Sequence, residues 1–317
     1  MSKPTISRRG FVGGALGLAG VAALAKSARG AATAPGMHAI RLGAPVFADA
    51  KDPEAFAQAH RELGYRAAFC PDVSLDDTDR IRAIETAFAK NDVVIAEVGR
   101  WYNMMDADEK KRAHNIETVT KGLALADAVG ARCCVDIAGS MNKDVWYGPD
   151  PGNFSQEFFD AAVENARKIV DAVKPTRAKF SYEVMGWSVP DSPDTYLKLI
   201  KAVDREMFGV HLDPCNAINC PEKFYRNADL LNECFDKLGP WIVSCHAKDL
   251  KWEPEMNVHF VEVIPGTGAV DYTTWLKRLA TLPNDVPLMI EHLSSEKDYD
   301  SARKFIMDTG EALRISF

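Results

Sequence analysis

The stretch Gly209-Val210-His211-Leu212-Asp213-Pro214-Cys215-Asn216 decides the fold prediction for this chain of 317 residues. It predicts a short apolar strand that ends on an acid, with a proline just beyond it that opens a loop. Three other apolar runs also end on a side chain that can bind a metal: residues 179–185 with Glu183, residues 242–249 with His246, and residues 287–293 with Glu291. Four strand ends of this kind make one site if they meet in space.

Strand and helix patterns alternate regularly from residue 39 onward. The predicted strands are residues 39–47, 67–70, 93–98, 133–138, 180–184, 209–212, 242–247 and 288–291. The predicted helices are residues 53–63, 77–90, 109–128, 155–173, 193–203, 221–238, 272–282 and 299–313. Eight strand-helix units predict a closed (β/α)8 TIM barrel, formed by a single domain over residues 39–317. A doubly wound sheet is the competing architecture, but no G-x-G-x-x-G follows an early strand.

The parity of the strand residues places the four candidate ligands together. Alternate residues of a barrel strand face the interior, and barrel enzymes keep their chemistry at the C-terminal strand ends. Glu183, Asp213, His246 and Glu291 come from units five to eight, which are adjacent in the ring, so we expect their side chains to converge. His292 has the opposite parity and is expected to be structural. Each residue alone fits a strand cap or an ion pair, but four in consecutive units favour a metal site.

The predicted ligand set also restricts the metal. Three carboxylates and one imidazole suit Mn²⁺, Mg²⁺ or Co²⁺ better than a closed structural zinc site. We therefore expect one divalent ion, with Mn²⁺ favoured and Zn²⁺ as a further alternative.

Six further residues are candidates for binding substrate. Lys248 could bind an anionic or carbonyl oxygen or form a salt bridge, and His211 is expected to support Asp213 by a hydrogen bond rather than to bind the metal. His259 lies in a long segment after strand seven, where solvent exposure is the alternative to contact with substrate. Glu97 closes strand three beside the pocket. Trp187 follows strand five, where its ring could stack on a sugar or pack in the loop; the sixth candidate, Asn216, follows Asp213.

The N-terminus has the pattern of an export signal. Ser7-Arg8-Arg9-Gly10-Phe11-Val12 is followed by an apolar run to Ala25 and then by small residues up to Ala34. This resembles a twin-arginine signal, so residues 1–34 are expected to be signal and spacer, the export machinery a partner, and the periplasm the location. The apolar run is shorter than the roughly 20 residues that span a bilayer, which argues against a stable membrane anchor.

The charge of the chain argues against nucleic-acid binding, and its cysteines leave one disulfide open. The full chain has a net charge of −7, and loss of residues 1–34 leaves 33 basic against 45 acidic side chains. Such a surface repels phosphate backbones, so we expect no nucleic-acid partner. The seven cysteines form no C-x-x-C pair. Cys215 and Cys220 flank a loop, and the sequence leaves their pairing open.

Several motifs together resemble a known superfamily. They are the Glu of Ser181-Tyr182-Glu183, His211-Leu212-Asp213, His246-Ala247-Lys248-Asp249, Gly266-Thr267-Gly268-Ala269-Val270-Asp271-Tyr272 and Ile290-Glu291-His292. From about residue 39 to the C-terminus the chain resembles the sugar phosphate isomerase/epimerase superfamily of xylose-isomerase-like barrels. The resemblance implies that Glu183, Asp213, His246 and Glu291 bind the metal, and that Glu183 and Glu291 also exchange protons with a substrate carbon.

The implied activity is metal-dependent isomerisation or epimerisation of a sugar or keto-sugar through an enediolate. The alternative is a lyase or dehydratase that eliminates a leaving group from a keto-sugar, keto-glycoside or inosose. The endonucleases of the superfamily need a histidine-rich zinc site, which seven histidines in the whole chain supply poorly. Ketose epimerases of the superfamily have a substrate-binding histidine where this chain has Asn216, which leaves the subtype open. Homo-oligomerisation is a further expectation.

Overall fold

The computed structural model describes residues 36–283 and 285–317, in which eight parallel strands close into a barrel. The barrel strands are β1 (Arg41–Gly43), β2 (Ala67–Phe69), β3 (Val94–Gly99), β4 (Cys133–Asp136), β5 (Lys179–Glu183), β6 (Phe208–Leu212), β7 (Ile242–Ala247) and β10 (Pro287–Ile290). Their order around the barrel is β1-β10-β7-β6-β5-β4-β3-β2. The predicted TIM barrel is confirmed, and β5, β6, β7 and β10 are neighbours, as the site prediction requires.

Helices connect the strands on the outside of the barrel. They are α1 (Pro53–Glu62), α2 (Thr78–Lys90), α3 (Glu109–Val129), α4 (Gln156–Val173), α5 (Pro193–Val203), α6 (Pro214–Ala217), α7 (Pro221–Tyr225), α8 (Asn227–Leu238), α9 (Tyr272–Leu279) and α10 (Glu296–Ala312). Polar side chains fix several of their starts: Ser192 and Thr195 form a capping box at α5. At the other end of α3, Gly130 has a φ of 75°, a left-handed conformation that glycine adopts without strain.

An extra hairpin and a divided helix are among the differences from the prediction. The sequence predicts no strand between residues 247 and 288, but β8 (Asp249–Trp252) and β9 (Phe260–Val263) form an antiparallel hairpin there. Its aromatic residues pack on a neighbouring helix, since the rings of Phe260 and Phe224 stack with centroids 4.9 Å apart. The helix predicted over residues 221–238 is divided at Arg226, whose φ and ψ of −116° and 33° are not helical.

A buried asparagine accounts for this division. The Asn227 side chain donates to the carbonyl of Phe224 at 2.8 Å and to that of Ala269 at 3.0 Å, and it accepts from the amide of Asp271 at 2.7 Å. These bonds join the start of α8 to the loop before α9. A straight helix from residue 221 would not present Asn227 to that loop.

Asp249 also fixes the backbone of the loop before α9. Its buried carboxylate accepts hydrogen bonds from the amides of Gly266, Gly268 and Val270, at 2.9, 2.9 and 3.0 Å. A Cβ at Gly268 would collide with the Asp249 carboxylate and the carbonyl of Leu250. The loop therefore needs glycine at this position because its backbone lies directly on the carboxylate.

The expected signal segment, residues 1–34, lies outside the described residues. Within the part that is described, no helix is both long and apolar enough to cross a membrane. All seven cysteines, which fall in this part, are free thiols, so Cys215 and Cys220 are not joined.

Candidate metal centre

The four predicted ligands converge at the C-terminal end of the barrel. One ligand atom from each of Glu183, Asp213, His246 and Glu291 lies within 4.8 Å of the others. Glu183, Asp213 and His246 are 3%, 0% and 0% exposed. Buried carboxylates at this spacing repel one another unless a cation lies among them, so the cluster has the composition of a cation site.

His246 presents one ring nitrogen to all three carboxylates. Its Nδ1 lies 2.9 Å from Glu183 Oε1, 2.9 Å from Glu291 Oε1 and 3.9 Å from Asp213 Oδ2. Burial disfavours the imidazolium, but the surrounding Glu291, Glu97 and Glu183 outweigh burial and raise the pKa of His246 well above its ordinary value.

Two buried carboxylate oxygens in the cluster, Asp213 Oδ2 and Glu291 Oε1, are held by ion pairs with Lys248 or His246 and make no hydrogen bond of standard geometry. The other Asp213 oxygen accepts from the amide of Asn216 at 3.2 Å, which orients the carboxylate at the start of α6. Buried oxygens held in this way fit a metal ion, because a hard divalent cation can take the place of the ion-pair partner at their lone pairs. The residues present therefore fit the metal that the sequence predicts.

Lys248 lies against the same two oxygens. Its Nζ is 3.0 Å from Asp213 Oδ2 and 2.8 Å from Glu291 Oε1, and its side chain is 3% exposed. Burial opposes the charge on this ammonium, but Asp213, Glu183 and Glu291 raise its pKa above the ordinary value. Burial also raises the pKa of Asp213 to about 6, against the influence of Lys248. For Glu291, burial is outweighed by His246 and Lys248, which lower its pKa.

Asn216 joins these residues from α6. Its Nδ2 donates to Glu183 Oε1 at 3.2 Å, and its Oδ1 accepts from Lys248 Nζ at 3.4 Å. The residue that departs from the ketose epimerases thus contacts the site, and it holds a carboxylate and an ammonium at once.

Glu97 and His211 lie deeper in the barrel than their prediction as substrate-binding residues requires. Both are buried, at 1% and 0% exposed. His211 Nε2 lies 2.9 Å from Glu97 Oε2, and Ser244 Oγ donates to the same oxygen at 3.0 Å. The other Glu97 oxygen lies 3.1 Å from His246 Nε2. Their side chains contact His246, Ser244 and each other, and their roles in binding substrate stay predictions.

A cavity of about 210 Å³ opens beside the cluster. Its walls include Lys248, Glu291, Glu262, His292 and Asp298. A cavity of this size next to the carboxylates gives a small polar molecule access to them.

Glu262 and His292 are two of the cavity residues that sequence reasoning missed. His292 has a φ of 59°, so the strand parity that placed it outside no longer applies beyond Glu291. Its Nδ1 lies 3.0 Å from Glu262 Oε2, and Glu262 Oε1 lies 3.4 Å from Lys248 Nζ. Glu262 is on β9 of the hairpin, and the alternation of Phe260-Val261-Glu262-Val263 was the signal that could have found it.

The structure does not bring His259 and Trp187 into this cavity. His259 is half exposed in the hairpin connection, and its Nδ1 lies 3.1 Å from Glu255 Oε2. Trp187 is partly buried in the loop after β5, and its carbonyl accepts from Asn153 Nδ2 at 3.2 Å. Neither residue is among those that line the cavity, so their roles in binding stay predictions.

Comparison with protein families gives one match over most of the chain. The model of the xylose isomerase-like TIM barrel family matches residues 57–309. Comparison with curated protein sequences finds no significant match.

Solved structures of the same architecture have low sequence identity to this chain. A D-psicose 3-epimerase from Clostridium cellulolyticum H10, solved with D-tagatose, is 13% identical with a TM-score of 0.63 over 88% of this chain and 99% of its own. A magnesium complex of a xylose isomerase-like TIM barrel protein from Mycobacterium smegmatis is 18% identical, with a TM-score of 0.57 over 87% and 98%. The probable 3-DHS dehydratase of Bacillus anthracis is 15% identical, with a TM-score of 0.58 over 84% and 97%.

Proposed function

This chain belongs to the xylose isomerase-like TIM barrel family, and from that premise we propose that it is a divalent-metal-dependent sugar isomerase or epimerase. The observation that carries the proposal is the approach of four ligand atoms to within 4.8 Å of one another at the mouth of the barrel. The proposed reaction moves a proton at a carbon next to a carbonyl, with a sugar or keto-sugar as substrate.

Glu183, Asp213, His246 and Glu291 are the residues that would hold the metal. When bound, a divalent ion polarises a carbonyl and its neighbouring hydroxyl and so acidifies the C–H bond between them. The oxygen-rich set favours Mn²⁺, with Mg²⁺, Co²⁺ and Zn²⁺ as alternatives. The magnesium complex of the Mycobacterium smegmatis protein supports a hard cation in this fold.

Glu183 and Glu291 are proposed to move the proton. Glu183 is the last residue of β5 and Glu291 directly follows β10. These are the two outer strands of the four that supply ligands, with β6 and β7 between them. The two carboxylates thus approach His246 Nδ1 from either side of this arc, each at 2.9 Å. One carboxylate can take a proton from the substrate carbon while the other returns one, to the same carbon in epimerisation or to its neighbour in isomerisation.

Lys248 and Asn216 are proposed to bind substrate oxygens. The Lys248 ammonium reaches the cavity beside Glu291, where it can stabilise negative charge that develops on an oxygen. Asn216 can donate to a hydroxyl without titrating. The D-tagatose complex of the Clostridium cellulolyticum epimerase supports a sugar as the ligand of such a site.

Elimination from a keto-sugar, keto-glycoside or inosose is the second candidate. It is favoured by the 2.8 Å distance between Lys248 Nζ and Glu291 Oε1, which puts a proton donor beside a base. A leaving hydroxyl or alkoxide could take its proton from the ammonium while the carboxylate holds the proton from carbon. The similar fold of the Bacillus anthracis dehydratase is in keeping with this reaction class.

We also propose that the protein works in the periplasm after twin-arginine export. The support is the sequence of residues 1–34 alone. Unphosphorylated sugars and glycosides are the substrates that this location favours.

An NMR screen of keto- and aldo-sugars tests the reaction. The protein acts on each sugar with Mn²⁺ in D₂O, and the spectra are recorded after the reaction is quenched and the metal removed. The wild type should incorporate deuterium at the carbon next to the carbonyl, and Glu291→Gln and Glu183→Gln should lose most of this exchange because each removes a base. Appearance of an enone would favour elimination instead. Glu255→Gln, in the hairpin connection, is the control and should exchange like the wild type. Metal content that is unchanged in both Glu183→Gln and Asp213→Asn would refute the four-residue site.

A further inference from the structure

We propose that Glu97 is a positioning residue that fixes the tautomer and the orientation of His246, an inference that rests on the metal site of the proposed function. Glu97 is on β3, which lies four strands from β7 around the barrel. Its side chain therefore reaches across the barrel interior to contact a ligand on the opposite wall.

The contacts divide the two ring nitrogens of His246 between two environments. Nε2 lies 3.1 Å from Glu97 Oε1, in the deeper layer, and Nδ1 faces Glu183 and Glu291 in the upper layer. A carboxylate has only lone pairs to offer, so Nε2 must carry the proton to bond to Glu97. In the neutral imidazole this leaves the lone pair on Nδ1, the nitrogen that faces the other three ligands.

Glu97 is itself held from two further directions. His211 Nε2 and Ser244 Oγ both lie near Glu97 Oε2, at 2.9 and 3.0 Å. The ring of His211 also packs on the ring of His246, with centroids 4.1 Å apart and planes at 70°. Because these contacts come from β6 and β7, the carboxylate cannot rotate away from Nε2 without breaking them.

Without the Glu97 carboxylate, the alternative tautomer gains stability. A proton on Nδ1 could be donated to Glu183 or Glu291, each 2.9 Å away, and would then occupy the lone pair that a metal needs. Glu97→Gln is the sharpest substitution, since it keeps the volume but replaces one of the two carboxylate oxygens, both of which accept, with an amide group that donates.

Asp136 supplies a matched control. Its side chain is 0% exposed, it ends the adjacent strand β4, and it accepts from the amides of Tyr102 and Ile137. Asp136→Asn thus changes an equally buried carboxylate that has no hydrogen bond to His246.

The test is titration of metal-stripped wild type, Glu97→Gln and Asp136→Asn with Mn²⁺ by calorimetry, together with visible spectra of the Co²⁺ forms. Glu97→Gln should bind Mn²⁺ about 10- to 100-fold more weakly and shift the Co²⁺ absorption bands even at saturation. Asp136→Asn should match the wild type in both. A Glu97→Gln protein that binds Mn²⁺ like the wild type with an unchanged Co²⁺ spectrum overturns the proposal, whatever its thermal stability.

Two further results separate the remaining explanations. Wild-type protein that binds neither ion would refute the metal site itself, and with it the proposed function. If Glu97→Gln does not fold, ¹⁵N chemical shifts of His246 in the Mg²⁺-loaded wild type decide the matter. Protonated Nε2 with unprotonated Nδ1 supports the role of Glu97, and the reverse pattern overturns it.

Discussion

Replacing Lys248 by methionine should strengthen metal binding while weakening the metal-stripped protein. The ammonium lies 3.0 Å from Asp213 Oδ2 and 2.8 Å from Glu291 Oε1, and so it compensates the charge of two buried carboxylates. A bound divalent ion uses the same oxygens, so lysine and metal compete for them. Methionine keeps an unbranched side chain, shorter by the terminal nitrogen, and removes the competitor.

The size of the effect follows from burial. Breaking a buried ion pair by removing one partner costs about 3–5 kcal/mol, because the remaining charge stays buried. Asp213, whose pKa burial raises to about 6, can take up a proton when Lys248 is lost, so we use the lower end, about 3 kcal/mol. In a domain of this size that lowers the melting temperature of the stripped protein by about 5 °C.

The same free energy appears in metal binding. Because the substitution destabilises only the metal-free form, the same free energy is added to the free energy of Mn²⁺ binding. Since about 1.4 kcal/mol corresponds to a factor of ten, Mn²⁺ should bind roughly a hundredfold more tightly to Lys248→Met than to the wild type. Calorimetric titration at about pH 8, where Asp213 is ionised in the wild type, measures the difference.

The control is Lys251→Met in the hairpin. Lys251 is half exposed and pairs with Glu253 at 2.9 Å, so its loss should change stability by less than about 0.5 kcal/mol and leave Mn²⁺ affinity unaltered. Equal or weaker Mn²⁺ binding by Lys248→Met would refute the competition. It would mean that the ammonium stays beside the carboxylates when the metal is bound.

Two further substitutions test the fold around the site. In Asp127, the amides of Thr176, Arg177 and Ala178 all donate to Oδ1, and these bonds outweigh burial and lower the pKa of the carboxyl. A carboxyl whose pKa is lowered on folding stabilises the folded state at pH values above its unfolded pKa near 3.8. This stabilisation is lost as the pH falls. The free energy of unfolding of Asp127→Asn, measured in urea at neutral pH, should therefore be about 1 kcal/mol below that of the wild type. This difference should shrink below about pH 4, and a difference that stays constant with pH would contradict the lowered pKa. Gly268→Ala should lose about 1–3 kcal/mol because its Cβ meets the Asp249 carboxylate, whereas Gly239→Ala, with its nearest contact at 3.5 Å, should not; equal melting temperatures would refute the collision.

The barrel and the convergence of the ligands were predictable from the sequence because both depend on regular periods. Strand-helix alternation specifies parallel strands, and a period of two along each strand determines which side chains face inward. The inward set of Glu183, Asp213, His246 and Glu291 needs nothing else, since the structure places all four on neighbouring strands.

Residues beyond the strand ends were predictable only in part, because there the backbone no longer has a fixed period. His292 adopts a left-handed φ of 59° and faces the cavity, although strand parity places it outside. Glu262 belongs to a hairpin that leaves the barrel and returns to it. The depth of Glu97 was also hidden, since the pairing of β3 with its neighbours determines how far along the barrel axis the residue lies, and strand alternation does not contain that information.

The hairpin of β8 and β9 separates sequence changes that alter the cavity wall from those that alter the candidate ligands. Glu262 contributes to the cavity wall from an excursion outside the barrel, whereas the four candidate ligands belong to the ends of barrel strands. Insertions, deletions or an exchange of residues 253–259 leave the register of the barrel untouched. Changes in this one excursion can therefore alter the cavity wall while the four candidate ligands keep their places on the barrel.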